Sequence, residues 1–147
     1  MSFKPIRTFL ENRLLEVDRD FEVQDDAFGL ETLGSNELDK RYHIFYGNVA
    51  TTLDNQHTTD DVVSATVSLY FRGYRTATDA LDDSMDLANA YRLNCLKISA
   101  LTNQDFIKRV VCNSILAEPL ESNDNFIKIT LQFSIRVIFG TAINFDY

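Results

Sequence analysis

The chain of 147 residues has no tryptophan and only five glycines, two prolines, two cysteines and two histidines. So few glycines leave no Gly-rich turn after a strand to cradle a phosphate, and no serine stands in a Gly-x-Ser-x-Gly elbow. Two histidines and two cysteines make no spaced ligand set for zinc. His57 lies among Asp54, Asp60 and Asp61, but those residues read as a solvated loop, and His43, on a strand of aromatics, reads as structural. Asp79, Asp82, Asp83 and Asp86 lack the order of a calcium loop and read as an acidic helix start. No cofactor, no metal and no catalytic activity are expected. Apolar runs are all far short of the ~18 residues of a membrane span. Met1-Ser2-Phe3-Lys4-Pro5 has neither the apolar core nor the cleavage site of a signal peptide. Cys95 and Cys112 fall in a helix and a strand, and two free thiols in a reducing cytosol are expected.

Basic residues are the minority, 14 Lys and Arg against 22 Asp and Glu, for a formal charge of −8. A surface that grips nucleic acid needs clustered cations to displace phosphate counterions, so the charge argues against such a grip. It does not exclude DNA passing by, because an acidic wall repels phosphates. With 45% hydrophobic residues the chain can build one core, and a single α+β domain over residues 1–147 is expected.

What the sequence does have is two long period-two segments. Val63, Ala65, Val67, Leu69 and Phe71 alternate with Ser64, Thr66, Ser68, Tyr70 and Arg72. Ile127, Ile129, Leu131, Phe133, Ile135, Val137 and Phe139 alternate with Lys128, Thr130, Gln132, Ser134 and Arg136. This is the pattern of strands with one face on a core. At ~3.3 Å per residue they would run ~36 to 43 Å, against ~17–20 Å for common strands. Strands of that length make surface beyond the needs of a small core.

Around them the spacing predicts a helix over Lys4–Val17 with Phe3, Ile6, Leu10, Leu14 and Val17 inward, and Pro5 in its first turn. Phe21 and Val23 suggest a short strand, and Asp25–Asn36 reads as loop. A strand at Tyr42–Ala50 follows, and the polar, acidic stretch Thr51–Asp61 reads as a flexible, projecting loop. The first long strand, Val62–Tyr74, leads to a main helix over Asp79–Ile98, its inward stripe being Leu81, Met85, Ala88, Tyr91, Cys95 and Ile98. Thr76 or Thr78 caps it. Thr102–Lys108 adds a helical turn, Arg109–Leu116 a strand, Pro119–Asn125 a turn, and Phe126–Phe139 the second long strand. Thr141–Tyr147 is a tail. The fold class is therefore α+β: an antiparallel or mixed sheet with two long strands, packed against an N-terminal helix and one main helix.

On the outward faces, Tyr70, Arg72 and Tyr74 on one strand and Gln132 and Arg136 on the other are the candidate interface residues. Tyr and Arg combine contact area with directional bonds and recur at interface hot spots. Strand propensity alone would also place such residues there.

The order of elements, with an N-terminal helix, the strand Tyr42–Tyr46, a projecting loop, Leu69-Tyr70-Phe71-Arg72-Gly73-Tyr74, an acidic-headed helix and a closing hairpin, resembles the tail terminator proteins of long-tailed, non-contractile bacteriophages. The resemblance covers about Ser2 to Phe139 and rests on order, size and acidity, with no diagnostic motif to transfer site residues. It implies a virion protein assembled in the host cytoplasm, forming a homo-oligomeric, hexameric ring at the head-proximal end of the tail. Such a ring stops the polymerisation of the tail tube protein and offers a docking face to a head or neck completion protein, with DNA only as cargo passing through its lumen and no membrane partner. Another neck, tail-completion or tail-tube ring subunit shares this physics. From a different class, a small monomeric or dimeric α+β ligand-binding domain would fit the same composition, and a metal-dependent hydrolase using the His57 loop is a third reading.

Overall fold

A computed structural model describes residues 3–23, 40–54, 58–72, 78–97, 106–120 and 123–140. The elements are α1 (Lys4–Val17), β1 (Glu22–Val23), β2 (Arg41–Asp54), β3 (Thr58–Arg72), α2 (Thr78–Leu96), β4 (Ile107–Leu120) and β5 (Asn123–Gly140). They form one five-stranded sheet in the order β1-β2-β3-β5-β4. β2–β3 and β4–β5 are antiparallel hairpins, β3 and β5 join them antiparallel at the centre, and the two-residue β1 runs parallel to β2. The protein is α+β with a mixed sheet, as the alternation predicts.

β3 and β5 pair without interruption from Thr58↔Gly140 to Arg72↔Phe126. Their inward sets coincide: Val63, Ala65, Val67, Leu69 and Phe71 meet Ile135, Phe133, Leu131, Ile129 and Ile127. All are buried except Ile127, which is half-buried. A one-residue slip would exchange most of these for a hydroxyl, an amide or a charge, so burial sets the register.

Both helices pack on this inward face. α1 buries Ile6, Phe9, Leu10 and Leu14. Phe3, expected inward, is 37% exposed, and Phe9 takes its share of the core. The Phe3 ring instead lies 5.5 Å from that of Tyr46, whose hydroxyl donates to the Phe3 carbonyl at 2.8 Å. Arg7 lies over the same ring, 5.2 Å from its centre, and donates to the Ile44 carbonyl at 3.2 Å. Tyr42 donates to Glu11 Oε2 at 2.6 Å, so α1 is tied to β2 by polar bonds at its rim as well as by its apolar stripe.

α2 buries Ala88, Tyr91 and Cys95, and its inward row continues back through Ser84 at the i, i+4, i+7, i+11 spacing. Leu81, expected inward, is 40% exposed, and Met85 is half-buried. Ala88, Tyr91 and Cys95 are inward as expected, and the stripe departs from the expected one only in the earlier turns, where Ser84 is buried in place of Leu81 and Met85. Ile98 and Thr76 lie outside the described residues. Tyr91 stands edge-on to Phe133 with ring centres 5.9 Å apart, which seats α2 on β5. Asn94 donates to the Arg13 carbonyl at 2.8 Å and to Glu16 Oε2 at 2.9 Å, joining α2 to the end of α1.

A larger correction concerns the first hairpin. Thr51–Asp61, read as a projecting loop, is strand over Thr51–Asp54 and Thr58–Asp61, paired as Thr51↔Asp61, Leu53↔Asp60 and Asp54↔Thr59. Its acidity does not prevent pairing because both buried aspartates are satisfied. Asp61 accepts hydrogen bonds from Thr51 Oγ1 at 2.7 Å and Thr59 Oγ1 at 2.9 Å, and Asp60 is paired with Arg136. The strands at 41–54, 107–120 and 123–140 are likewise longer than expected. Ile107 and Lys108, expected in a helical turn, begin β4, and Pro119 and Leu120, expected in a turn, end it.

Candidate assembly surface

With α1 and α2 on one face, the opposite face of the sheet is a lattice whose rows can be read from the register. Arg41, Tyr70, Lys128 and Glu118 form one row; His43, Ser68, Thr130 and Leu116 the next; Phe45, Thr66, Gln132 and Ser114 the third. Then come Ser64, Ser134 and Val111, and after them Ala50, Val62, Arg136 and Arg109. The middle of the face is hydroxyl and amide, with charge at its two ends. Thr66 Oγ1 donates to Gln132 Oε1 at 2.8 Å, and Asn113 donates to Ser134 Oγ at 2.7 Å, so the polar side chains are tied across strands.

Two large apolar side chains break this polar lattice. Phe45 on β2 is 61% exposed and Leu116 on β4 is 57% exposed. Three strand spacings of ~4.8 Å separate their strands. An exposed aromatic and an exposed leucine bracketing a hydrogen-bonding platform are the composition of an interface with a polar middle.

The candidate residues are strung along this face and do not form one cluster. Tyr70 lies opposite Lys128, Gln132 opposite Thr66 and Arg136 opposite Val62. Val62 and Tyr70 are eight residues apart on β3, or ~26 Å at ~3.3 Å each. Gln132 and Arg136 are exposed and near each other on β5. Tyr70 is buried, so its ring offers little surface to a partner in this conformation. Arg72 ends β3 opposite Phe126, and Tyr74 lies outside the described residues.

Arg136 is held in place by an ion pair. Its Nε donates to Asp60 Oδ1 at 3.0 Å and its Nη2 to Asp60 Oδ2 at 2.6 Å, a two-pronged ion pair between β5 and β3. The guanidinium holds the Asp60 carboxyl below the usual carboxylate range, through its hydrogen bonds first and its charge besides.

Sequence reasoning missed Phe45, Leu116 and Arg109. Parity would have found Phe45, since Tyr42, Ile44 and Tyr46 point inward. Leu116 and Arg109 were hidden by irregularities in β4 between Ile107 and Arg109 and between Cys112 and Ser114, which reset the alternation.

Burial pushes the Cys95 thiol up to about 12, and burial also raises that of Cys112, so neither is poised as a nucleophile. Both cysteines are free. Among the described residues no group of three or more His, Cys, Asp or Glu side chains is placed to hold a metal ion; His57 lies outside them. No described helix is long and apolar enough to cross a membrane.

No family model and no curated protein matches the chain. Among solved structures, a chain from the virion of a native gene transfer agent (GTA) particle aligns with 86% of this chain and 92% of its own, at 14% identity and a TM-score of 0.46. A likeness at that level carries no function across.

Proposed function

We propose that this chain is a structural virion protein, the subunit of a tail terminator ring that caps the tail tube, stops its polymerisation and presents a docking face to the head or neck. The observation that carries the reading is the one-sided sheet. Both helices cover one face, while the long strands carry a polar platform with exposed Phe45 and Leu116 on the other. A monomeric domain of this size gains nothing from strands of 15 and 18 residues extending past its helices; a subunit that must build a wall does. The order α1, β2–β3 hairpin, α2, β4–β5 hairpin supports the same reading, as does the acidic composition, which suits a lumen that lets DNA pass without holding it. Self-association into a ring, which a free ligand-binding domain does not need, separates this reading from that alternative.

The deciding experiment is native mass in solution, alone and with tail tube protein. The expected result is a ring, a hexamer, alone or on the tube. The double variant Arg72→Glu/Arg136→Glu should weaken ring formation or capping while keeping the folded circular dichroism spectrum, at a melting temperature lowered by the loss of the Asp60 pair, and cells that depend on it should make overlong tails and unjoined heads. A wild-type protein that stays monomeric under every condition, tube included, removes the ring reading.

A further inference from the structure

On the outer face of the sheet Arg109 of β4 stands directly opposite Arg136 of β5. Like charges in that relation are destabilising. Asp60 neutralises one of the two, taking both prongs of Arg136, and Arg109 is left exposed with no ion-pair partner among the described residues. The site therefore has two cations for one carboxylate and can accept another from outside. On the same face, six residues further along β5 in register, Thr130 faces the exposed Leu116, ~20 Å from Arg109 at ~3.3 Å per residue.

The outward side of α2 carries the complementary pattern. Asp82, Asp86, Asn89 and Leu93 recur at i, i+4, i+7 and i+11, so they share one stripe, and all four are exposed, Leu93 by 50%. At ~1.5 Å per residue Leu93 lies ~10 Å from Asp86 and ~16 Å from Asp82 along the axis. The length of an arginine side chain closes the difference from the sheet spacing. Leucine can thus meet leucine while a carboxylate meets Arg109.

We propose that a second copy of this chain lays its α2 stripe, Asp82, Asp86 and Leu93, on the Arg109 and Leu116 face of β4 and β5. The proposal rests on the ring reading and names its contact. The two patches are different and lie on opposite faces of the sheet, so the contact is head-to-tail, the kind that closes into a ring when the rotation allows. It also places carboxylates of an acidic chain against Arg109, which has no ion-pair partner among the described residues, and so lets copies approach despite a charge of −8.

The test is native mass and light scattering on the wild type, on Arg109→Glu, on Asp82→Arg/Asp86→Arg, and on the chain carrying all three changes. The wild type should associate, and raised salt should weaken it. Each single-patch variant should lose association at least tenfold with unchanged circular dichroism, and the triple variant should recover it. Mixing the two defective variants should restore a complex that neither forms alone. If Arg109→Glu assembles like the wild type, the contact is wrong and the ring stands. If it assembles normally but no longer binds tail tube, the occupant is the tube protein and not a second copy. If the wild type is monomeric alone and with tube, both the contact and the ring reading fall.

Discussion

Tyr91 donates its hydroxyl proton to the Leu10 carbonyl at 3.0 Å, so α2 and α1 share a buried hydrogen bond beneath the sheet. The residue is fully buried, and its ring also packs edge-on against Phe133. One side chain thus joins three elements.

Tyr91→Phe should cost about 1 kcal/mol in urea unfolding, the common worth of one such bond. Burial pushes the Tyr91 hydroxyl well above its ordinary value, while the unfolded chain ionises it near ~10. Above that pH the unfolded state binds fewer protons, so stability present below ~10 falls as pH rises. Cys95, pushed up to about 12 by burial, starts the same decline from ~8.5, where a free thiol ionises. Melting scans from pH 7 to 11 should show an alkaline loss that is delayed in Cys95→Ala and shallower in Tyr91→Phe. A flat profile in the wild type would contradict the burial of both groups.

Leu69 and Phe133 lie on the shared inward face, at 0% and 1% exposure. Leu69→Ala should cost ~2–5 kcal/mol, and Leu69→Asp or Phe133→Asp should abolish cooperative melting. Gln132→Glu, on the other face, keeps an acceptor for Thr66 and should melt close to the wild type. Thermal melting by circular dichroism distinguishes the two faces.

The Asp60–Arg136 pair predicts an acid-dependent difference. Because the folded Asp60 carboxyl is held below its usual value, the pair's contribution is present above ~3.9, where an unfolded Asp ionises, and is lost as pH falls through the folded value. Arg136→Gln should lower the melting temperature at pH 7, and the gap to the wild type should shrink as pH falls from 5 to 3. A gap independent of pH would mean that Arg136 acts through packing alone.

Much of the fold was legible in the sequence because it rests on period. The inward residues of β3 and β5, and the span of α1, follow from alternation and from Pro5. What was not legible has local causes. Irregular pairing of β2 between Tyr46 and Val49 and between Thr51 and Leu53 breaks the alternation, which hid the end of the first hairpin behind polar residues. Asp61 shares the face of Val63 and Val137, and only its two threonine partners make that place tolerable. The candidate surface was legible in face and not in extent. Parity placed Tyr70, Gln132 and Arg136 together on one side, but the burial of Tyr70 and the capture of Arg136 by Asp60 depend on residues distant in sequence.

The strand order has a kinetic consequence. Each hairpin closes over a short separation, but the central β3–β5 seam joins strands with all of α2 and β4 between them. Loop closure makes such a seam the late and slow event, on a scale of milliseconds to seconds for sheets dominated by distant pairings. Until it zips, β3 and β5 each present a bare edge and an apolar face to every other nascent copy. Fast expression should therefore trap the chain in aggregates that slow expression avoids, because it is born as two sticky hairpins and becomes one protein only when the seam closes.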